Sequence, residues 1–295
     1  MSDLNERVKS WWNDNPYTYG LSKKDGYRDV GDVADDALDE HFFSEYMRKT
    51  RKQFFDAQKP AERLAARFID YEWLKGKSVL DIACGFGWST VEMADAGARV
   101  TGIDLTPRAI EVTQKHAQSR GLEVDLREMD AQQMDFPDEH FDAVHAWGCL
   151  MHMPQTEQAI AEIYRVLKPG GRVFGYMYNK NSVSYWWHIW FLRGILMGKL
   201  LAYRGDTTRL VSRFTDGITI GGNVLTKVYT PRQAGRMFAA AGFVNVDFRP
   251  WGPPDMLDNF PISKIRLGRF LSYRTKKAIA DRFGWGMTFI AEKKS

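Results

Sequence analysis

Cysteine is nearly missing from this chain: its 295 residues include only Cys84 and Cys149. Two thiols make neither a disulfide framework nor a metal knuckle, and no three-cysteine cluster that could hold an iron–sulfur centre occurs. No metal site is expected. The scarcity reads as a reducing compartment, so a cytoplasmic location with two free thiols is expected. Also lacking is any charge-free apolar run of about 18 residues, which excludes an ordinary transmembrane helix. The first residues, Met1-Ser2-Asp3-Leu4-Asn5-Glu6-Arg7, lack the apolar stretch of a signal peptide. No internal repeat and no low-complexity tract interrupts the sequence.

Charge is present in both signs but is segregated. The net charge of +4 divides into −2 for residues 1–60, −7 for 61–171 and +13 for 172–295. A basic final third beside an acidic middle suggests a division of labour. The basic part overlaps an aromatic-rich stretch, which favours an anionic or membrane-associated substrate.

From residue 78 the pattern alternates strand and helix. Ser78–Ala83, Arg99–Ile103, Leu122–Glu128, Phe141–Ala146 and Arg172–Tyr178 read as strands. Trp88–Ala96, Pro107–Arg120 and Gln155–Leu167 read as the helices between them, the last stopped by Lys168-Pro169-Gly170-Gly171. Such alternation implies right-handed crossovers and a doubly wound, mostly parallel Rossmann-like α/β sheet of about seven strands. After a break at 179–229, a helix starts at Thr230-Pro231 and ends at Gly242. Strands at Phe243–Phe248 and Gly286–Glu292 complete the sheet, with 249–284 irregular and proline-rich between them. The expected organisation is a helical cap at 1–70, a cofactor-binding core at 71–178, a helical lid or insertion at 179–229, and a C-terminal completion with an irregular insertion at 230–295.

The first strand runs into Asp81-Ile82-Ala83-Cys84-Gly85-Phe86-Gly87. Glycines at a strand-to-helix turn let backbone approach a ligand, and the next helix offers free N–H groups. A dinucleotide fingerprint needs a further glycine three residues after Gly87; Thr90 stands there instead. Asp81 at the strand end suits a cationic ligand such as the ammonium and sulfonium of S-adenosylmethionine better than a pyrophosphate. Asp104, ending the second strand, can accept from ribose hydroxyls. Asp130, after the third strand, can accept from an adenine amino group while an adjacent N–H donates to the ring; its alternative reading is a helix N-cap.

Val79–Gly87, Asp104, Asp130–Pro137, Phe141–Val144 and Arg165–Gly171 resemble, in order and spacing, the landmarks of class I S-adenosylmethionine-dependent methyltransferases. The resemblance is strong over residues 60–178 and closest to the group that includes quinone, sterol and small-metabolite enzymes. It implies S-adenosylmethionine as cofactor. It places Asp81, Ala83, Gly85 and Gly87 around the methionine moiety, Asp104 on the ribose, and Asp130 with Ala131 at the adenine, with Cys84, Leu105 and Gln132 as further cofactor-binding residues. Ala146 and Trp147 would line the methyl end. Within that family, an Asn/Asp-Pro-Pro-Tyr loop, paired glutamates or Asp metal ligands would follow the fourth strand in enzymes acting on nucleic-acid or glutamine amines, arginine or catechols. Ala146-Trp147-Gly148-Cys149 offers none, so nucleic acid is not expected as a partner. A small-molecule acceptor is.

Methyl transfer from a sulfonium can run on alignment and desolvation, with a general base helping a protonated acceptor. The candidates are His145, His152, Tyr178, Tyr17 and Tyr19, with His145 also readable as a hydrogen-bonded core histidine. The aromatic stretch Trp11–Tyr19 reads as a cap over cofactor or acceptor, or equally as an anchor to the sheet. Residues 183–204, apolar on most faces with Arg193, Lys199 and Arg204 as their only charges, read three ways: a substrate lid, a homo-oligomer contact, or a membrane-surface contact. The expected function is methyl transfer to a small, partly lipophilic and perhaps anionic metabolite, by in-line displacement. The competing readings are a peripheral membrane or partner-binding protein that keeps only the cofactor fold, and a lipid-modifying enzyme at a membrane surface.

Overall fold

Val79, Leu80, Asp81 and Ile82 are all buried, as a strand covered on both faces must be. They form β1 (Ser78–Ile82), the centre of the computed structural model, which describes residues 3–15, 38–44, 63, 65–66, 68–218, 221–252, 261–262, 265–266 and 271–295. Around β1 lie β2 (Arg99–Asp104), β3 (Asp125–Glu128), β4 (Phe141–Trp147), β5 (Leu167–Tyr178), β6 (Phe243–Trp251) and β7 (Gly286–Lys293). The seven strands are ordered β3-β2-β1-β4-β5-β7-β6, with β7 antiparallel to both neighbours and the first five strands parallel. The order reverses direction between β1 and β4. In a doubly wound sheet the ligand crevice opens there, beyond the carboxyl ends of the strands.

The covering helices are α1 (Asp3–Asp14), α2 (Trp88–Asp95), α3 (Pro107–Ser119), α4 (Thr156–Val166), α5 (Ser184–Leu196), α6 (Lys199–Ala202), α7 (Thr207–Arg213), α8 (Pro231–Ala240) and α9 (Tyr273–Phe283). Pro107 and Pro231 sit in the first turns of α3 and α8, where no N–H is needed. Thr230 and Gln233 close a capping box on α8. α5 is wound wider than an α-helix, with bonds spanning five residues such as Met197 N–H to Leu192 O. Two apolar layers sandwich the sheet: one built on Phe86, Met93 and Val112, the other on Ile160, Met177 and Phe238.

Four elements depart from the sequence pattern. β3 begins at Asp125 rather than Leu122, because this edge strand pairs only with Thr101–Asp104. Lys168–Gly171 does not separate a helix from a strand. β5 already starts at Leu167, opposite Phe141, and the glycine pair bulges before pairing resumes at Arg172. The region 249–284 is not irregular throughout: α9 forms inside it, capped by Ser272, whose Oγ accepts from Thr275 N–H at 3.1 Å. α9 buries only Ala280, so it carries almost no apolar stripe to read. Residues 183–204 fold onto α7 through Tyr185, Ile189, Leu210 and Val211 rather than over the crevice. Asp142 ties strands together, accepting from Ser78 N–H and from Lys168 Nζ, which holds its carboxyl below the usual carboxylate range despite burial. Among the described residues no helix is long and apolar enough to cross a membrane.

Candidate functional site

A cavity of about 880 Å³, its mouth included, opens at the carboxyl ends of β1, β2 and β4. Its size matches pockets that enclose a ligand of nucleoside dimensions. Ala83 and Gly85 form its floor, both left-handed at φ +55° and +65°. Alanine there carries a steric cost that glycine would not. Asp104 and Leu105 line one wall, with Asp130, Ala131 and Gln132 beside them and Trp147 and His152 at the other end. Asp104 and Asp130 are the cavity's carboxylates, and no Lys or Arg of the described residues lines it.

Asp104 accepts from Gly85 N–H at 3.1 Å and from Thr106 N–H and Oγ1 at 3.0 Å. Burial pushes its carboxyl above the ordinary value, against those hydrogen bonds. Asp130 accepts from Gln132 N–H at 2.8 Å and from Asn5 Nδ2 at 3.1 Å. Asn5 Oδ1 in turn accepts from Gln132 Nε2 at 3.2 Å. The Asn5 amide therefore presents Asp130 and Gln132 with a donor and an acceptor side by side, the same pair as an adenine edge carries. Lys9 pairs with Glu128 at 2.6 Å, so α1 closes this end of the cavity from two points.

Several expected cofactor contacts lie elsewhere. Asp81 does not reach the cavity. It is fully buried, accepting from Ser89 Oγ at 2.7 Å, Thr90 Oγ1 at 2.6 Å and His145 Nδ1 at 2.7 Å. The β1–β4 register sets Asp81 beside His145, which explains the pair. His145 is thus enclosed in the sheet and out of reach of an acceptor. Gly87 starts α2 at φ +80°, and a Cβ there would meet Thr113 Cγ2 at 2.8 Å, so it serves packing. Cys84 lies behind the loop against Thr113, and Ala146 is sealed in the core. Burial raises the Cys84 and Cys149 thiols well above their ordinary value, which keeps both protonated and unreactive. Tyr17 and Tyr19 fall outside the described residues. Of residues 183–204, none lines the cavity.

His152 carries a network the sequence did not announce. Its Nδ1 lies 2.8 Å from Leu225 O, and its Nε2 lies 3.4 Å from Asp216 Oδ2. A carbonyl only accepts, so Nδ1 bears the proton and Nε2 keeps its lone pair when the ring is neutral. Tyr178 OH donates to both Asp216 oxygens at 2.9 and 3.0 Å, and Asn223 Nδ2 lies 3.4 Å from Oδ2. Lys227 anchors the same loop, donating from Nζ to Pro154 O and Thr156 Oγ1. Trp12 from α1 packs edge-on against His152 with ring centres 5.2 Å apart. Trp147 stacks between His145 and Tyr176, forming a flat aromatic wall. Among the described residues, no cluster of His, Cys, Asp or Glu could hold a metal ion.

The comparisons with known proteins agree with this layout. A family model described as a methyltransferase domain matches residues 79–171. Ubiquinone biosynthesis O-methyltransferases of Pseudomonas entomophila and Pseudomonas aeruginosa are 40% identical over 114 residues, which is 38% of this chain and 49% of each relative. The chain therefore spans about half the length of the curated relatives it matches. Among solved structures, a SAM-dependent methyltransferase from Methanosarcina mazei superposes with a TM-score of 0.54 at 23% identity, over 76% of this chain and 95% of that one. The (4+2)-cyclase SpnF superposes with a TM-score of 0.51 at 22% identity, over 81% of this chain and 83% of that one. At that identity both speak for the fold alone. Over residues 79–171, the family match, the glycine loop and the sheet order together make this chain similar to the class I S-adenosylmethionine-dependent methyltransferases.

Proposed function

We propose that the chain transfers a methyl group from S-adenosylmethionine to a hydroxyl of a small, partly lipophilic acceptor. The observation that carries this is the charge of the cavity: among the described residues it is lined by two carboxylates, no Lys or Arg, and a single histidine at the far end. Such a lining attracts a cationic nucleoside and repels a pyrophosphate. Asp104 would hold the ribose, Asp130 and Gln132 the adenine, and the Ala83–Gly85 floor the amino-acid end. When bound, S-adenosylmethionine supplies a methyl group already activated by its sulfonium.

The rest falls to the chain's own side chains. Trp12, Trp147, Val8 and Met153 give the acceptor end an apolar enclosure that excludes water. His152 Nε2 takes the acceptor proton, and the imidazolium it becomes is stabilised by Asp216 at 3.4 Å and by the Leu225 carbonyl. Tyr178 and Asn223 fix Asp216 in place. Since the same fold also serves a (4+2)-cyclase, methyl transfer rests on this site and not on the sheet. The test is transfer of labelled methyl from S-adenosylmethionine to a panel of phenols and catechols with apolar substituents. Labelled ether product supports the reading. Cofactor binding without transfer to any hydroxyl acceptor would overturn it.

A further inference from the structure

A second feature lies away from the cavity, at the corner where α5 turns into α6. Gly198, left-handed at φ +66°, makes the turn. Around it Ile195, Leu196, Met197 and Leu201 stand 47%, 69%, 57% and 86% exposed. Single exposed apolar residues are ordinary, but four at one corner are not. They cannot turn inward, because α5 and α7 already meet through Tyr185, Ile189, Leu210 and Val211.

The flank of this corner is basic. Residues 180–214 hold six Lys or Arg against the single acid Asp206. Lys199 lies within the apolar tip and Arg204 and Arg209 follow it, and none of them pairs with an acid among the described residues. Arg209 lies over the Tyr203 ring at 4.8 Å, which keeps its charge at the surface. Trp186 and Phe191 are exposed further back along α5.

We infer that this corner docks onto an anionic lipid bilayer. The aliphatic tip would enter the boundary between headgroups and acyl chains, with Lys199, Arg204 and Arg209 against the phosphates. The charge selects this occupant over a second copy of the chain. A two-fold contact would bring the patch against itself and oppose its own cations. The inference stands apart from the methyl-transfer reading, since no residue of the corner lines the cavity.

The experiment is co-sedimentation with phosphatidylcholine vesicles, with and without phosphatidylglycerol, at low and high salt. The whole chain is expected to pellet with the anionic vesicles, to stay in solution with phosphatidylcholine alone, and to be released by salt. Lys199→Ala/Arg204→Ala/Arg209→Ala should weaken partitioning about a hundredfold. Leu196→Glu/Leu201→Glu should abolish it. The variants change exposed side chains and the half-buried Lys199, none of which lines the cavity, so their melting temperature and cofactor binding should match the parent, which separates loss of docking from loss of the site. The inference is overturned if the parent ignores anionic vesicles, or if both variants pellet as it does. It is equally overturned if sedimentation velocity shows a dimer that Leu196→Glu/Leu201→Glu dissociates.

Discussion

Replacing Asp81 separates two roles that look alike in sequence. The structure makes Asp81 a buried anchor, so its loss should appear first in stability. Asp81→Ala strands three buried donors at once: Ser89 Oγ, Thr90 Oγ1 and His145 Nδ1. Each orphaned buried donor costs about 1–3 kcal/mol, and relaxation around the small side chain recovers part, so about 3–5 kcal/mol is expected in all. For a chain of this size that is a fall in melting temperature of roughly 6–15 °C. Asp81→Asn should cost about 1–2 kcal/mol, because its amide oxygen still accepts from His145 and the two hydroxyls can rotate to accept from its N–H₂. Urea unfolding followed by tryptophan fluorescence measures both, the chain having ten tryptophans. Cofactor binding by calorimetry, run well below the transition, gives the second axis. If Asp81→Ala kept parental stability and lost cofactor binding outright, Asp81 would be a ligand and the buried-anchor reading would fail.

Three further outcomes follow from the same geometry. His152→Gln should lower kcat by about 10²–10⁴-fold with cofactor affinity unchanged; an unaltered kcat would remove His152 from the chemistry. Gly87→Ala, at φ +80° with Thr113 Cγ2 only 2.8 Å from its new methyl, should cost about 1–3 kcal/mol in urea unfolding. His116 is stacked on Phe43, and burial pushes its pKa down to about 4. The unfolded chain therefore takes up this proton first as pH falls, so about 3 kcal/mol of stability, fully present above about pH 6.5, is lost between there and pH 4. Urea midpoints at pH 7 and pH 4.5 should diverge less in His116→Gln than in the parent; an equal loss in both would assign the acid sensitivity elsewhere.

How much could be read from sequence follows how local each feature is. The turn Ala83-Cys84-Gly85 and the carboxylates Asp104 and Asp130 sit at strand ends, where alternation of strand and helix fixes position, so they could be named without a structure. The same logic could not distinguish a residue facing the cavity from one facing the sheet. Asp81 and Ala146 each stand one residue before the end of their strands, whereas Asp104 is the last residue of β2, and both are buried in packed interior. His152 was visible as a candidate, but its partner Asp216 stands alone in Thr215-Asp216-Gly217 with no motif around it. Tyr178 reaches it across 38 residues of chain. Asn5 is separated from Asp130 by 125 residues and belongs to a helix with no nucleotide signature. Composition left residues 183–204 open to three readings, a lid, a homo-oligomer contact or a membrane-surface contact. Only the structure shows Tyr185 and Ile189 packed on α7 and no residue of the segment lining the cavity.

The central claim is that a cavity at the β1–β4 switch point, lined among the described residues by two carboxylates and no Lys or Arg, selects a positively charged nucleoside. Calorimetric titration of the chain with S-adenosylmethionine, S-adenosylhomocysteine and NAD tests it directly. The account predicts one-to-one binding of the first two, no heat from NAD, and an affinity at least about tenfold weaker in Asp104→Ala. Binding of NAD with no response to S-adenosylmethionine, or full affinity in Asp104→Ala, would contradict it.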